Sequence, residues 1–223
     1  NIPIERCSEA GIVVFNTPGA NANAVKELAV CALLLASRKI TAGSAWLREQ
    51  AGAGADVEKV VEKGKSQFVG PELMGKTLGV IGLGAIGVMV ANAAVAMDMD
   101  VIGYDPFLSV DAALRLSRSV KLAKTQEELL GRSDFLTLHL PQTAKTEGMI
   151  NRNVLAAVKP GMILLNFARG GLIDDDAVIE ALESGQLGRY VTDFPSDRII
   201  ANSKVIAMPH LGASTLEAEE NCA

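Results

Sequence analysis

The sequence predicts an α/β protein whose core is a doubly wound parallel sheet. Short apolar segments, such as Thr77–Ile81 and Met162–Asn166, alternate with helical segments along the chain. The first of these runs straight into a glycine-rich turn that opens a helix. No internal repeat or low-complexity linker breaks the alternation. Strands and helices that alternate at this spacing are typical of a parallel sheet with helices on both faces.

The bulk composition is that of an ordinary globular chain. Its 223 residues are 49% hydrophobic and 21% charged, enough for one large domain or two small ones. A net charge of −5 gives no electrostatic signal for nucleic acid or an anionic membrane surface. The longest apolar run, residues 28–36, is far too short to cross a bilayer, and no signal peptide is recognisable. We therefore expect no nucleic-acid or membrane partner.

The cysteines and the chain ends bear on where the protein works. Cys7, Cys31 and Cys222 are odd in number, widely spaced and outside any metal-binding pattern. That predicts reduced thiols, no metal site and a cytoplasmic location. The chain starts at Asn1 without a methionine and stops inside a predicted helix, so we expect a piece of a longer protein.

The elements before the glycine turn are predicted from apolar runs and their flanking residues. Residues 12–15 form a short strand, and Asn21 or Asn23 caps a helix that continues to residue 40. Residues 28–36 of this helix have no polar face, which predicts burial on all sides. That burial is against a second subunit or a missing domain, or else the helix lies at the centre of the core. Short helices are expected in residues 41–64.

Beyond the turn, cap residues and β-prone runs predict the remaining elements. Thr125 and Glu128 form a capping-box pattern for one helix, and acids from Asp174 onward begin another that Gly185 ends. Residues 193–197 are expected to be a loop. The predicted strands are residues 101–104, 120–123, 135–140, 162–166, 190–192 and 205–208, and the predicted helices are residues 91–97, 125–130, 151–158, 174–184 and from 216 onward.

The glycine turn has the spacing Gly-x-Gly-x-x-Gly. Gly82 permits the tight turn, Gly84 lets backbone N–H groups approach a pyrophosphate, and Gly87 lets the helix pack on the strand. The helix N-terminus adds partial positive charge for the phosphates. The motif alone is weak, because a strand-to-helix turn of another α/β protein can also contain three glycines.

The acid at the end of the second strand strengthens the motif. Asp105 follows residues 101–104, so that strand, glycine turn, helix, strand and acid occur in the order of a Rossmann dinucleotide-binding domain. A carboxylate there accepts hydrogen bonds from a ribose diol and repels a 2′-phosphate. The sequence therefore predicts NAD as the cofactor in preference to NADP.

Most of the chemically suggestive side chains follow directly after predicted strands. In a parallel α/β sheet, ligands bind outside the carboxyl ends of the strands. The sequence therefore predicts one site at that edge. The residues at these ends are residues 82–84, Asp105, residues 139–141, residues 167–169, Asp193 and His210.

Two of these residues suit redox chemistry at a carbonyl or alcohol. His210 is a proton donor or acceptor near neutral pH, although a lone histidine is more often a buried structural one. Arg169 lies between a strand end and two glycines, where its guanidinium can bind a substrate carboxylate and polarise the adjacent C2 carbonyl. The alternative for Arg169 is a surface salt bridge.

A carboxylate is expected beside the histidine. Asp197 precedes His210 in the chain and is our candidate for hydrogen bonding the imidazole, which would fix the ring and stabilise its protonated form. Asp193 is the competing acid, and either could instead be a solvated loop residue. His139 is expected to line the cofactor site without taking part in the chemistry.

Taken together, these segments resemble the D-isomer-specific 2-hydroxyacid dehydrogenase family. The matching pieces span nearly the whole chain and form a highly specific set. They are residues 15–21, the turn at residues 82–87 with Tyr104-Asp105-Pro106, Leu138-His139-Leu140-Pro141, Asn166-Phe167-Ala168-Arg169-Gly170-Gly171, and Pro209-His210-Leu211-Gly212-Ala213-Ser214-Thr215.

The resemblance implies hydride transfer between NAD(H) and C2 of a D-2-hydroxy acid, and the pattern is closest to members that act on 3-phosphoglycerate. It also implies a catalytic trio of arginine, acid and histidine, which would be Arg169, Asp197 and His210 here. The family loop usually reads Asp-Val-Phe-x-x-Glu, so this chain has lost one residue and carries aspartate in place of glutamate. The cofactor residues expected from the resemblance and the strand ends are Thr17, Gly82, Gly84, Ala85, Ile86, Gly87, Asp105, His139, Leu140, Pro141, Phe167, Ala168, Asp193, Gly212 and Ala213.

The resemblance further implies how the chain is organised. In this family the cofactor domain is inserted into a discontinuous substrate domain, so residues 1–223 would be the NAD-binding domain without its substrate domain, with hinges at residues 1–20 and 210–223. Family members dimerise largely through the cofactor domain, which predicts a homodimer. Glyoxylate or hydroxypyruvate reduction and D-lactate oxidation are alternative activities. An NAD(H)-sensing binding protein without turnover is the alternative of another class.

Overall fold

The computed structural model describes residues 2–15, 17–52, 54 and 56–222, and it contains a seven-stranded sheet in which every strand pairing is parallel. The strands are β1 Thr77–Ile81, β2 Asp100–Tyr104, β3 Lys121–Leu122, β4 Phe135–Leu138, β5 Met162–Asn166, β6 Leu187–Thr192 and β7 Val205–Ala207. Their order in the sheet is β3-β2-β1-β4-β5-β6-β7. The predicted doubly wound α/β fold is confirmed.

Helices cover the two faces of the sheet, and short 3-10 turns occupy Lys65–Phe68 and Gly170–Leu172. Successive side chains of a strand point to opposite faces of the sheet, so each central strand contributes side chains to two hydrophobic cores. Val80 packs in the core formed with helices α2 (Ala22–Ser37) and α5 (Ala85–Ala96), whereas Ile81 packs in the core on the other face. The helices are α1 Ile4–Glu9, α2 Ala22–Ser37, α3 Ile40–Glu49, α4 Val57–Gly64, α5 Ala85–Ala96, α6 Val110–Arg115, α7 Gln126–Arg132, α8 Arg152–Ala156, α9 Asp175–Ser184, α10 Asp197–Ile200 and α11 Leu216–Cys222.

The sheet register aligns the carboxyl ends of six strands in one row. Ile81 pairs with Tyr104 on one side and with Leu138 on the other, and the row continues through Asn166, Thr192 and Ala207. The chain leaves β1 for β2 and β3 and returns to β4, so the strand order reverses beside β1. A crevice at such a reversal is the usual ligand site of this architecture.

Local capping signals correctly marked several helix ends. Thr125 accepts a hydrogen bond from the Glu128 amide at 3.2 Å, and the Glu128 carboxylate accepts one from the Lys124 amide at 2.9 Å. Asp174 caps α9 by accepting from the Ala177 amide at 3.2 Å. Gly185 ends that helix with φ +83°, a left-handed conformation that favours glycine. The predictions for α7 and α9 are confirmed.

In the N-terminal third, one prediction is wrong and one of two alternatives is excluded. Residues 12–15 form no strand, and Ile12, Val13 and Phe15 lie exposed, with Phe15 at 86%. The helix from Ala22 is not buried on all sides by this chain, because Leu33 is buried while Cys31 and Leu34 on its other side are exposed. The alternative of a central core helix is therefore excluded for this chain by itself.

Short helices account for most other differences from the prediction. The helices α1, α6 and α10 have only 6, 6 and 4 residues and were not predicted. Such lengths are too short to show a helical period, although Ser109 does cap α6 by accepting from the Ala112 amide at 3.1 Å. Along the described ranges no single helix has the length and apolar character needed to span a bilayer. Helices α2 and α3 meet that test only as a pair bent by 65°.

Candidate cofactor and catalytic site

The glycine turn after β1 has a conformation that only glycine fits at Gly82. Its φ is +90°, and its amide donates to the Tyr104 carbonyl at 3.0 Å. A Cβ atom here would lie 2.4 Å from the carbonyl oxygen of His139, which follows β4. The turn therefore closes tightly against the end of the neighbouring strand.

Gly84 and Gly87 make different demands on the same turn. A Cβ atom on Gly87 would lie 1.9 Å from the Gly82 carbonyl oxygen, so the start of α5 packs directly on the turn. Gly84 is the N-cap residue of α5, and a Cβ atom there would have no heavy atom within 4 Å beyond Gly84 itself and its chain neighbours. An open glycine at a helix N-terminus leaves room for a phosphate group to approach the backbone amides. These residues fit the pyrophosphate of a dinucleotide.

Asp105 is held at the end of β2 by two backbone amides. One carboxylate oxygen accepts from the Leu83 amide at 2.8 Å, and the other accepts from the Phe107 amide at 2.8 Å. Each oxygen retains a further lone pair that can accept from a ribose hydroxyl. The carboxylate lies half-buried beside the glycine turn, where a 2′-phosphate would meet its negative charge.

Asp105→Ser should weaken NADH binding about 10-fold, because a charged hydrogen bond typically contributes more than a neutral one. The preference for NADH over NADPH should fall by at least a similar factor, since the repelling charge is gone. Fluorescence titration of both dinucleotides measures this. Asp100→Ser, at an exposed acid in the first position of β2, is the control. An unchanged preference in the Asp105 variant would contradict the assignment.

A cavity of about 290 Å³ lies next to the turn, at the carboxyl ends of β4, β5 and β6. It brings together residues from six separate parts of the chain. Asn21 and Val25, from the start of α2, line it although they were not predicted as site residues. Its full lining is Asn21, Val25, Ile86, His139, Leu140, Pro141, Phe167, Ala168, Arg169, Asp193, His210, Gly212 and Ala213.

The remaining predicted residues lie beside this cavity or away from it. Gly82, Gly84, Ala85 and Gly87 belong to the adjoining turn and the first residues of α5. Thr17 is exposed in the turn before α2. That turn approaches α5, since a Cβ atom on its Gly19 would lie 3.7 Å from the Ala85 side chain.

Arg169 is presented by a turn that Asn166 stabilises. The buried Asn166 amide group donates to the Arg169 carbonyl at 2.9 Å, and its oxygen accepts from the Ala168 amide at 3.1 Å. The exposed Arg169 guanidinium donates to the Ala168 carbonyl at 2.6 Å. Within the part of the chain that the structure describes, it pairs with no carboxylate. The surface salt bridge considered above is thus not formed, and the charge faces the cavity.

His210 also lines the cavity, and it has an unusual backbone conformation. Its φ of +55° is in the left-handed region, and its side chain is exposed. The imidazole packs against Phe194, with ring centroids 4.7 Å apart and planes inclined by 53°. Asp193, only 2% exposed, accepts from the Leu211 amide at 2.8 Å and from the Gly212 amide at 2.6 Å.

The structure does not bring Asp197 to His210. Asp197 is the first residue of α10, it is exposed, and none of the hydrogen bonds formed by residues 2–15, 17–52, 54 and 56–222 joins it to the imidazole. The neighbouring side chains explain its place. Ser196 donates to Asp175 at 2.6 Å, and Arg198 pairs with Asp176, so this segment is tied to the start of α9.

His139 differs chemically from His210. Burial lowers the pKa of the His139 imidazole to about 4, so the ring is neutral at physiological pH. Its Nε2 atom lies 3.0 Å from the Thr137 hydroxyl, and its buried Nδ1 has no hydrogen-bond partner among the described residues. A permanently neutral ring is a poor proton donor, which agrees with its predicted place in the lining.

Comparison with known proteins identifies the family. The model of the D-isomer specific 2-hydroxyacid dehydrogenase NAD binding domain matches residues 30–213. D-3-phosphoglycerate dehydrogenase of Methanocaldococcus jannaschii is 41% identical over 226 residues, which cover 99% of this chain and 41% of that protein. The chain thus spans about two fifths of that relative's length.

Solved structures agree in fold. A glyoxylate reductase from Paecilomyes thermophila has a TM-score of 0.81 at 29% identity, covering 99% of this chain and 65% of its own. D-lactate dehydrogenase from Aquifex aeolicus, complexed with NAD and lactic acid, has a TM-score of 0.79 at 25% identity, covering 99% and 69%. The chain belongs to the D-isomer specific 2-hydroxyacid dehydrogenase family, and it corresponds to the NAD-binding domain of that family.

Proposed function

We propose that the protein interconverts a D-2-hydroxy acid and its 2-oxo acid, with 3-phosphoglycerate and 3-phosphohydroxypyruvate as the pair. The observation that carries this is the placement of an unpaired arginine and an accessible histidine on one cavity beside the glycine turn. A bound nicotinamide would supply the hydride acceptor or donor. A carboxylate-bearing substrate then needs a cation and a proton-transfer group within the same cavity.

The roles of the side chains follow from their chemistry. Arg169 binds the substrate carboxylate through its fork of N–H donors and places positive charge beside the C2 oxygen. His210 takes the C2 hydroxyl proton in the oxidation direction and returns it in reduction. Asp197, predicted as the third member, is left without a part in this proposal, because no hydrogen bond among the described residues joins it to the imidazole.

Residues 1–223 supply one wall of the cleft in this proposal. The substrate domain would be joined through hinges at residues 1–20 and 210–223, and the domain alone would bind NAD without turnover. The exposed side of α2, which carries Leu34 at 44% exposure, supports a homodimer formed through this domain. We place the protein in the cytoplasm, with serine biosynthesis as its setting, on its resemblance to phosphoglycerate dehydrogenases and on cysteines that are all free in the described residues.

A panel of substrates tests the proposal. The full-length protein, given NADH, should reduce 3-phosphohydroxypyruvate with a kcat/KM at least about 10-fold above those for hydroxypyruvate, glyoxylate and pyruvate. The 41% identity to a phosphoglycerate dehydrogenase favours the phosphorylated substrate. A preference for glyoxylate, hydroxypyruvate or pyruvate would instead assign the reductase or lactate dehydrogenase activity.

A protein that senses NAD(H) without turnover is the second candidate. The observation in its favour is that Asp197 is exposed and, among the described residues, forms no hydrogen bond to the imidazole that an acid should support. Such a protein would bind NADH and change its oligomeric state. Tight NADH binding with no turnover on any of the four 2-oxo acids would establish it.

A further inference from the structure

His210 needs support that its exposure and backbone do not provide by themselves. A non-glycine residue at φ +55° occupies a sparsely populated region, and it stays there only when its surroundings hold it. No hydrogen bond reaches either nitrogen of its ring from residues that the structure describes. The acid expected to orient the ring, Asp197, lies elsewhere.

Asp193 restrains the backbone that follows His210 in the chain. Its two carboxylate oxygens accept from the next two amides in the chain, those of Leu211 and Gly212. Asp193 is itself fixed, because it is buried at the end of β6 and its amide donates to the Asn166 carbonyl at 3.2 Å. Charged acceptors form the stronger class of hydrogen bond, so this pair restrains the turn that follows the histidine.

Phe194 holds the ring itself. Its amide donates to the Thr192 hydroxyl at 3.0 Å, which anchors the residue beside β6. Its Cβ lies 3.3 Å from the position that a Cβ atom on Gly170 would take, next to Arg169, and its ring packs against the imidazole. Tilted aromatic packing restricts the rotation of an imidazole without occupying either ring nitrogen.

We propose that Asp193 and Phe194 are the positioning residues for His210 in this chain. Asp193 fixes the backbone turn, and Phe194 fixes the orientation of the imidazole through ring packing, where a carboxylate bonded to the ring would otherwise be expected. Both ring nitrogens then stay available to the substrate. This inference rests on the proposed function, because it assigns support to a histidine that transfers a proton.

Turnover and its pH dependence test the role of Phe194 in the full-length protein. Phe194→Leu should lower kcat about 10-fold and displace the kcat–pH profile, with KM changed less than about threefold. Phe194→Tyr keeps the ring and should restore kcat to within about threefold of the original protein. Phe68→Leu is the matched control, since Phe68 packs on Trp46 with centroids 5.4 Å apart in the other aromatic pair of the described residues. A Phe194→Leu protein with unchanged kcat and pH profile would overturn the proposal.

Imidazole NMR tests the same point without turnover. Removing His139 and His210 by mutation, one at a time, assigns the ring resonances of each in the full-length protein. Phe194→Leu should shift the His210 resonances, which lose an adjacent aromatic ring, and leave those of His139 in place. Asp193→Asn should shift the Leu211 and Gly212 amide signals and lower kcat. Asp134→Asn, at a carboxylate that accepts from the Thr77 amide at the opposite edge of the sheet, is its control.

The outcomes separate this inference from the proposed function. If the unmodified protein has no turnover, the proposed function fails. The NMR experiment still decides whether Asp193 and Phe194 position the His210 ring. If Asp197→Asn lowers kcat more than Phe194→Leu does, a carboxylate positions the histidine and the inference is overturned. Unchanged His210 resonances in Phe194→Leu would overturn it as well.

Discussion

Replacement of His210 by alanine is expected to lower the kcat of the full-length protein about 10³-fold, within the usual range for a general acid or base. The substrate keeps its cation at Arg169, so KM should change little. Binding of NADH should also persist, because the pyrophosphate and ribose contacts are expected from the glycine turn and Asp105 and not from the imidazole. The measurement is steady-state kinetics on the preferred 2-oxo acid, beside fluorescence titration of NADH.

His139 makes the result specific to one histidine. Its pKa of about 4 keeps that ring neutral, so it cannot take over the proton when His210 is removed. A His210→Ala protein that retains kcat within about 10-fold of the original would assign the proton to another group. Loss of NADH binding together with kcat would point to a collapsed cavity instead of missing chemistry.

Gly87→Ala is expected to abolish NADH binding and to lower the melting temperature by about 10 °C. Alanine normally favours a helix over glycine by about 1 kcal/mol, which would stabilise α5. The steric term is larger here, because the new Cβ would lie 1.9 Å from the Gly82 carbonyl oxygen and only backbone movement can relieve it. Thermal unfolding and NADH titration measure the two effects.

Gly84→Ala is the matched comparison within the same turn. Its Cβ would meet no atom within 4 Å beyond Gly84 itself and its chain neighbours, so the melting temperature should stay unchanged. Binding of NADH should weaken about 10-fold, because the methyl group occupies space where the pyrophosphate would approach the helix N-terminus. If Gly87→Ala binds NADH as tightly as the original protein, the turn does not carry the cofactor.

The glycine turn and the capped helices could be predicted because their signals are local. A tight turn at Gly82 requires glycine whatever the rest of the chain does, and Thr125 or Asp174 satisfies amides only three residues away. The central strands were predicted because burial on both faces leaves long apolar runs. Their common register then placed most of the predicted site residues on one edge.

The rest depends on contacts between distant parts of the chain. Ser196 and Arg198 attach the segment that contains Asp197 to α9. No pattern in residues 193–197 predicts that attachment. Val25 enters the cavity only because α2 packs with its first turn beside the strand ends. Short helices such as α10 are stabilised by such contacts, so sequence periodicity cannot reveal them.

Because two backbone amides hold Asp105, the choice of cofactor is coupled to the stability of the glycine turn. The carboxylate that would meet the ribose also accepts from the Leu83 amide inside the glycine turn. Removing the carboxylate to admit a phosphorylated ribose would leave the Leu83 amide unpaired. A change of cofactor preference would therefore destabilise the turn that binds the cofactor. Asparagine at this position retains one carbonyl acceptor while it removes the charge, and it is therefore the first step by which this domain could be re-engineered, or could have evolved, toward the other dinucleotide.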